Sequence, residues 1–268
     1  MGVRQVDGAA ISIDTVTDLH VNRYGPPGPT RVLAIHGLTG HGQRWQTLAV
    51  RHLSDVAVSA PDLLGHGSSS WAAPWTIDAN AAALAELLNS PTVVVGHSFG
   101  GAVALQLAAS RPDLVSSLVL LDPAVGLDGE WMRDIANDML ASPDYTDRAE
   151  ARSEKANGSW ADVDADELDR ELDEHLIDYP HGRVAWRISI PAMMSYWSEL
   201  ARPITVPPST IPTTLIRASR TSPPYVTDEL LTRLARDRDF ELMDFDCDHM
   251  VAQALPAETA AVIGKALG

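Results

Sequence analysis

The segment Val93–Gly101, which reads Val-Val-Val-Gly-His-Ser-Phe-Gly-Gly, constrains the fold of this 268-residue chain more than any other segment. Its β-branched run predicts a buried strand, and Ala102–Ser110 after it predicts a helix. Between them lies a Gly-x-Ser-x-Gly pattern centred on Ser98. A serine on such a strand-to-helix turn is held in a strained backbone conformation with its hydroxyl exposed. The pattern predicts that Ser98 is a nucleophile; the alternative is a tight turn around an inert serine.

Other short apolar runs alternate with helical patterns along the chain. This alternation predicts parallel β-α-β units, with a mostly parallel central sheet and helices on both of its faces. A hairpin of Ile11–Ile13 and Leu19–Tyr24 is predicted at the start, antiparallel to the rest. The other predicted strands are Arg31–Ile35, Val56–Ala60, Thr92–Val95, Ser117–Leu121, Thr213–Ile216 and Glu241–Phe245. The predicted helices flanking them are Gly42–Arg51, Ile77–Leu88, Phe99–Ser110, Asp228–Arg236 and Pro256–Leu267.

About 90 residues before Thr213 contain no clear strand and interrupt this alternation. Four helices are predicted there, at Gly129–Leu140, Asp147–Asn157, Asp166–Tyr179 and Ala192–Leu200. Residues 126–211 hold 18 acidic and 8 basic side chains, which is most of the excess negative charge of the chain. We interpret 126–208 as a helical cap inserted between two core strands, with 1–125 and 209–268 forming the core. The alternative for most of these carboxylates is a solvated helical face.

Net charge and cysteine content limit the partners of the chain. The formal net charge is −16, which argues against nucleic acid and against anionic membranes. The single cysteine, Cys247, allows neither a disulfide framework nor a thiolate metal site. Met1–Thr17 lacks the apolar stretch of a secretory signal, and no run is long enough to span a membrane. We therefore expect a cytoplasmic protein.

A serine nucleophile needs a base, and His249 is the strongest candidate among the nine histidines. His249 follows the last predicted strand, and loops at the carboxyl ends of parallel strands share one edge of the sheet, where Ser98 also lies. The alternative for His249 is a surface histidine paired with a neighbouring aspartate. Three other histidines are interpreted as structural: His36, His66 and His97.

Two backbone N–H groups are placed to stabilise an oxyanion next to Ser98. Phe99 begins the predicted helix, so its N–H points to the site where a negative oxygen forms. The segment His36-Gly37-Leu38 ends the strand Arg31–Ile35 at the same edge. We expect the second donor to be the N–H of Leu38.

The acid that orients the histidine is harder to assign. The loop after Thr213–Ile216 is the first candidate, but Arg217–Thr227 holds no Asp or Glu. Asp122 ends the strand beside that of Ser98 and is our choice. The alternative acids are Asp246 and Asp228. The alternative role for Asp122 is that of a structural turn residue.

Four motifs in this order resemble the hallmarks of the α/β-hydrolase superfamily. They are His36-Gly37-Leu38-Thr39-Gly40, Asp62-Leu63-Leu64-Gly65-His66-Gly67-Ser68, Gly96-His97-Ser98-Phe99-Gly100-Gly101 and Asp248-His249. The pattern is also similar to small actinobacterial lipases and esterases of the LipV type. The resemblance implies the α/β-hydrolase fold, with Ser98 as nucleophile, His249 as base, and Leu38 and Phe99 as oxyanion donors. Some members of the superfamily take their acid from the loop that Asp122 occupies.

The resemblance and the residues together predict a serine hydrolase that cleaves carboxylic esters through an acyl-enzyme, with no metal or organic cofactor. The expected partner is a small ester with an apolar acyl group, because aromatic and thioether side chains are frequent in the cap. Among them Trp131, Met194 and Trp197 are the candidate substrate-binding residues; the alternative is that they form the core of the cap. Two other functions remain open: another reaction of the same triad (thioester, lactone or C–C hydrolysis, or perhydrolysis), and a weakly catalytic ligand-binding protein on this fold.

Overall fold

A seven-stranded sheet forms the centre of the protein in the computed structural model, which describes residues 19–236 and 239–268. Its strands are β1 (Val21–Tyr24), β2 (Val32–Ile35), β3 (Val58–Pro61), β4 (Thr92–His97), β5 (Val115–Leu121), β8 (Thr213–Ala218) and β9 (Phe240–Phe245). Their spatial order is β1-β3-β2-β4-β5-β8-β9. β1 pairs antiparallel with β3, and the other neighbours pair in parallel. The prediction of a mostly parallel sheet is confirmed. The predicted strand Ile11–Ile13 lies outside the described residues.

Both faces of the sheet are buried, as the continuous apolar runs predicted. Along β2, Leu33 and Ile35 belong to one buried cluster, whereas Val32 and Ala34 belong to another. This division follows from the alternation of side chains along a strand. Each cluster therefore fills the space between one face of the sheet and the helices that cover it.

Helices cover the two faces as the sequence indicated. On the side of Leu33 lie α2 (Ile77–Ala85) and α3 (Phe99–Ser110), whose buried residues belong to the same cluster. On the opposite side lie α1 (Gln46–His52), which follows the 3-10 helix Gly42–Trp45, and α10 (Pro256–Leu267). Two short helices complete the core: α8 (Asp228–Ala235) and α9 (Val251–Ala254).

The segment 126–208 joins β5 to β8 and holds the remaining elements. They are α4 (Gly129–Ala141), α5 (Arg148–Asn157), α6 (Ala165–His175), β6 (Leu176–Tyr179), β7 (Arg183–Trp186) and α7 (Ile190–Leu200). Apolar side chains of this segment, such as Leu172 and Tyr196, are buried in the same cluster as the sheet. The segment thus packs directly on the core.

The prediction that this segment contains no strand is wrong. The predicted helix Asp166–Tyr179 ends at His175, and β6 pairs antiparallel with β7 across a turn at Pro180–Gly182. A proline ends a helical pattern and biases the residue before it toward extended backbone. His181 and Gly182 then adopt positive φ angles, 63° and 76°, which reverse the chain. The Pro-His-Gly sequence was the available signal for this hairpin.

No helix in the described part of the chain is long and apolar enough to cross a membrane.

Candidate active site

Ser98 lies on the tight turn between β4 and α3. Its φ and ψ angles are 53° and −121°, in a region of backbone conformation that residues other than glycine rarely adopt. A Cβ built on Gly96 would lie 2.4 Å from the carbonyl oxygen of Gly100, and one on Gly100 would lie 2.5 Å from that of Ile35. The pattern thus needs glycine on both sides of Ser98, because the turn presses α3 against the sheet.

Asp122 and His249 are in direct contact. Asp122 follows β5, His249 follows β9, and Asp122 Oδ2 lies 2.6 Å from His249 Nδ1. The Asp122 carboxylate is 1% exposed and also accepts hydrogen bonds from the Ala218 N–H (3.2 Å) and the Thr221 hydroxyl (3.1 Å). These donors fix the carboxylate, which in turn holds Nδ1 of the imidazole.

The loop after β8 holds the Asp122 carboxylate in place. Arg217–Thr227 has no carboxylate, but it supplies the two donors from Ala218 and Thr221 that hold Asp122. Of the alternative acids, Asp246 is exposed and lies 3.4 Å from Arg220. Asp228 is the first residue of α8. The structure brings Asp122 to His249 and does not bring Asp246 or Asp228 there.

The backbone and ring of His249 are held from several sides. His97 Nε2 donates to the His249 carbonyl oxygen (2.7 Å), and the His249 N–H donates to Asp248 Oδ1 (2.7 Å). Tyr225 packs against the imidazole, with ring centroids 4.4 Å apart. Burial lowers the pKa of His97 well below its usual value, which keeps this ring neutral. His97 therefore positions the loop of His249.

Ser98 and His249 line the same cavity at the carboxyl edge of the sheet. No hydrogen bond joins the Ser98 hydroxyl to His249 within residues 19–236 and 239–268. Hydrogen bonds of this kind are often long without substrate and tighten in the reacting complex. The three predicted residues Ser98, His249 and Asp122 thus lie at one edge of one sheet.

The loop after β2 lies against Ser98. A Cβ built on Gly37 would lie 2.9 Å from Ser98 Cβ, so only glycine permits this approach. Leu38 follows it, lines the cavity, and its N–H has no backbone acceptor among the described residues. Phe99 is the first residue of α3, so its N–H has no partner within the helix. Both predicted oxyanion donors therefore flank the serine.

His36 and His66 form buried backbone contacts beside this loop. His36 Nδ1 donates to the Gly37 carbonyl oxygen (2.7 Å), and its Nε2 accepts from the Leu63 N–H (2.9 Å). His66 Nδ1 donates to the Leu64 carbonyl oxygen (3.0 Å). Burial lowers the pKa of His36 well below its usual value and that of His66 to about 3. Both rings are neutral and hold the backbone.

The cavity above Ser98 has a volume of about 310 Å³. Of the three candidate substrate-binding residues, Trp197 lines it, whereas Trp131 and Met194 are absent from its wall. Trp131 stacks on Tyr225 with a centroid distance of 5.5 Å, and Met194 packs against the core. Sequence reasoning missed several residues of the wall, namely Arg44, Tyr145, Lys155, Trp160 and Tyr225.

A buried cluster of charges joins the segment 126–208 to the core beside this cavity. Glu171 of α6 accepts hydrogen bonds from Arg44 Nη2 (2.5 Å) and Lys155 Nζ (2.5 Å), and His41 Nε2 lies 2.8 Å from it. Burial alone would raise the pKa of Glu171, but Arg44, Lys155 and His41 outweigh it and hold that pKa well below its usual value. The buried Glu171 carboxylate is thus ionised, and the surrounding basic side chains compensate its negative charge.

We expect Glu171→Gln to lower the free energy of unfolding by about 3–5 kcal/mol, because Arg44 and Lys155 would remain buried without a counter-charge. The depressed pKa gives the carboxylate a stabilising effect above its unfolded pKa of about 4.3, which is lost as the pH falls toward the folded pKa. Urea denaturation at pH 7 and at about pH 3 would measure both effects. Asp169→Asn, on the same helix and in an exposed pair with Arg152, is the control and should cost less than about 1 kcal/mol. Equal losses in the two variants would contradict this account.

No group of three or more His, Cys, Asp or Glu side chains is arranged to hold a metal ion in the part of the chain that the structure describes.

Comparison with known proteins identifies a family and a similar sequence. A model described as the alpha/beta hydrolase family matches residues 32–262. The chain is 63% identical to Lipase LipV of Mycobacterium tuberculosis over 259 residues, which cover 94% of this chain and 99% of that protein. It is also 41% identical to a pimeloyl-[acyl-carrier protein] methyl ester esterase of Neisseria meningitidis over 95 residues, or 35% of this chain and 37% of that one.

Solved structures share the fold. An E-2-(acetamidomethylene)succinate hydrolase matches with a TM-score of 0.78 at 23% identity and covers 92% of this chain and 94% of its own. A marine microorganism esterase matches with a TM-score of 0.75 at 21% identity and covers 93% and 99% of the two chains. At these identities the likeness concerns the fold alone.

Proposed function

The chain belongs to the alpha/beta hydrolase family, and on this premise we propose that it is a serine hydrolase of carboxylic esters. One observation carries the proposal: His249, held by Asp122 at 2.6 Å, lines the same cavity as Ser98 on its strained turn. The 63% identity to a lipase supports an ester as the substrate.

In the proposed reaction His249 Nε2 takes the proton of the Ser98 hydroxyl as the serine oxygen attacks the ester carbonyl. Asp122 stabilises the imidazolium that forms and keeps Nδ1 protonated. The imidazolium then gives its proton to the leaving alcohol, and the acyl group remains on Ser98. His249 next removes a proton from the water that attacks the acyl-enzyme, and it returns this proton to the Ser98 oxygen as the acid is released. General base action of this kind contributes about 10²–10⁴-fold.

The tetrahedral intermediates carry a negative oxygen, and we propose that the N–H groups of Leu38 and Phe99 bind it. Loss of one such donor in a comparable site costs about 2.7–4 kcal/mol of transition-state stabilisation. Backbone donors have the advantage that the fold fixes them before the substrate arrives.

We propose that residues 126–208 act as a cap that selects the substrate, a small ester with an apolar acyl group. Trp160, Trp186 and Trp197 supply apolar wall from this segment. The volume of about 310 Å³ is at the lower end of the range of small-molecule sites. We also propose a cytoplasmic location, because a single cysteine offers no disulfide framework.

We expect a maximum in kcat/KM for short to medium acyl chains in a series of p-nitrophenyl esters, because the cavity limits the length that fits. The panel should include a thioester and a lactone of similar size, which test the other reactions of this triad. A maximum at long chains would contradict the proposed substrate class. Hydrolysis of the thioester or lactone but of no ester would contradict the proposed function.

A further inference from the structure

Lys155 lies in the wall of the same cavity, at the end of α5, and its ammonium is packed between two indole rings. Nζ lies 4.6 Å from the ring centroid of Trp160 and 4.1 Å from that of Trp186. Its side chain is about one-tenth exposed, and its one protein hydrogen bond goes to Glu171. Two of its three N–H donors therefore meet no acceptor among the described residues.

Arg44 presents a second cation with a free donor to this cavity. Its Nε and Nη2 groups donate to Glu171, and Nη2 also donates to the Thr39 carbonyl oxygen. Nη1 makes no hydrogen bond in the described residues, although the side chain is 5% exposed. A Cβ built on Gly40 would lie 2.7 Å from Nη1, so this atom lies beside the loop that carries Leu38. Nη1 is not among the fully buried atoms that lack a partner, so solvent reaches it and an acceptor carried by a ligand can reach it as well.

The buried charges of the wall do not cancel. Arg44 and Lys155 are two cations, and Glu171 is the one buried carboxylate that they share. Glu154 also reaches the cavity, but it is exposed and accepts a hydrogen bond from the Tyr145 hydroxyl, so water screens it. While Lys155 is protonated, one positive charge in this wall thus lacks a buried counter-charge.

We propose that Arg44 and Lys155 form a subsite for a carboxylate carried by the acyl group of the substrate. The substrate class is then a half-ester of a dicarboxylic acid, with its ester carbonyl at Ser98 and its carboxylate at the N–H donors of Arg44 and Lys155 that Glu171 does not use. This inference rests on the proposed ester hydrolysis and changes the proposed acyl group to one whose apolar chain ends in a carboxylate. A carboxylate has acceptor positions for the unpaired donors of Lys155 and Arg44, and the apolar chain of the half-ester would lie against Trp160 and Trp186.

Protonation of Lys155 gives this subsite a pH dependence. Burial lowers the pKa of the Lys155 ammonium to about 7; Glu171 and Glu154 oppose the shift, and Arg44 adds to it. The titratable or charged groups around the ammonium are His41, Arg44, Glu154, Glu171 and His175. A bound carboxylate favours the charged ammonium, so the preference for the half-ester is expected to decrease as the pH rises from 6 to 9.

The test compares monomethyl adipate with methyl hexanoate, which have acyl chains of equal length. For the parent protein at pH 6.5 we expect the ratio of kcat/KM, half-ester to neutral ester, to be about 10 or more, as a charge-assisted hydrogen bond implies. Lys155→Met keeps a long apolar side chain between the indole rings and removes the charge. It should lower the ratio about tenfold, mainly through KM for the half-ester. Arg152→Met removes an exposed cation of the same helix and should leave the ratio unchanged.

A binding measurement separates this inference from the proposed function. Ser98→Ala protein is titrated calorimetrically with both compounds in two buffers of different ionisation enthalpy. We expect tighter binding of monomethyl adipate, with proton uptake near pH 7 that Lys155→Met abolishes. Hydrolysis of both esters at equal rates, or an unchanged ratio in Lys155→Met, would overturn the subsite and leave ester hydrolysis standing. Failure to hydrolyse either ester would overturn the function, and equal binding of the two compounds would then overturn the subsite.

Discussion

Ser98→Ala is expected to lower kcat for a short-chain ester by about 10⁶-fold. Removal of the hydroxyl abolishes the acyl-enzyme route, and a comparable loss follows removal of the serine in subtilisin. The proposed oxyanion donors at Leu38 and Phe99 remain, so a residual rate of about 10³–10⁴-fold over water is expected. Kinetics with a p-nitrophenyl ester would check this, with enough protein to detect the residual rate. The variant should release p-nitrophenol without an initial burst.

Covalent labelling gives a second measurement of the same prediction. A fluorophosphonate probe reacts with an activated serine, so the parent protein should be labelled and Ser98→Ala should not. Ser110→Ala is the matched control, because Ser110 is an exposed serine at the end of the same helix, α3. Absence of labelling in the parent protein would indicate a ligand-binding protein on this fold, the alternative of another functional class.

The sheet could be predicted because its strands are buried on both faces. Such strands give continuous apolar runs, and β4 and β5 were found almost at their observed bounds. The turn at Ser98 could be predicted for a local reason, since its glycines and its serine are contiguous. Asp122 was predicted as the acid by elimination, from the lack of a carboxylate in Arg217–Thr227. The sequence did not indicate that Thr221 of that same loop would hold Asp122.

The wall of the cavity could not be predicted to the same depth. Trp131, Met194 and Trp197 are all large apolar residues of predicted helices in segment 126–208, so the sequence does not distinguish them. Which of them reaches the cavity depends on how each helix is rotated about its axis. That rotation is set by tertiary packing, which single-sequence periodicity does not contain. Trp197 lines the cavity, whereas Trp131 lies behind Tyr225.

The buried charge cluster around Glu171 could not be predicted from the sequence for a different reason. Glu171 lies on the buried stripe of α6 with Leu168, Leu172 and His175, at the i, i+3 and i+4 spacing of one helix face. Among eighteen acidic residues of that region it resembles the solvated ones. Its partner Arg44 is 127 residues away in the chain. Only the packing of α6 on the core distinguishes this carboxylate from its neighbours.

Asp122→Asn is expected to lower kcat by about 10⁴-fold with little change in KM. The Asn side chain keeps the shape of the carboxylate, and its oxygen can still accept from the Ala218 N–H or the Thr221 hydroxyl. Its amide nitrogen, however, donates toward His249 Nδ1 and selects the tautomer that carries its proton on Nε2. That tautomer cannot accept the proton of Ser98, and the imidazolium also loses its counter-charge. Steady-state kinetics on a short-chain ester at pH 7 would check the loss.

The alternative acids provide the controls for this prediction. Asp246→Asn removes a carboxylate from the exposed pair with Arg220, and Asp228→Asn removes one from the start of α8. In both variants kcat should stay within about twofold of the parent. Near-normal kcat in Asp122→Asn, with a large loss in one of these two variants, would transfer the role of the acid to that residue. A loss in Asp122→Asn alone would assign the role of the acid to Asp122. The variant keeps the backbone and the shape of the site, and it changes only the tautomer of His249 and the charge beside it.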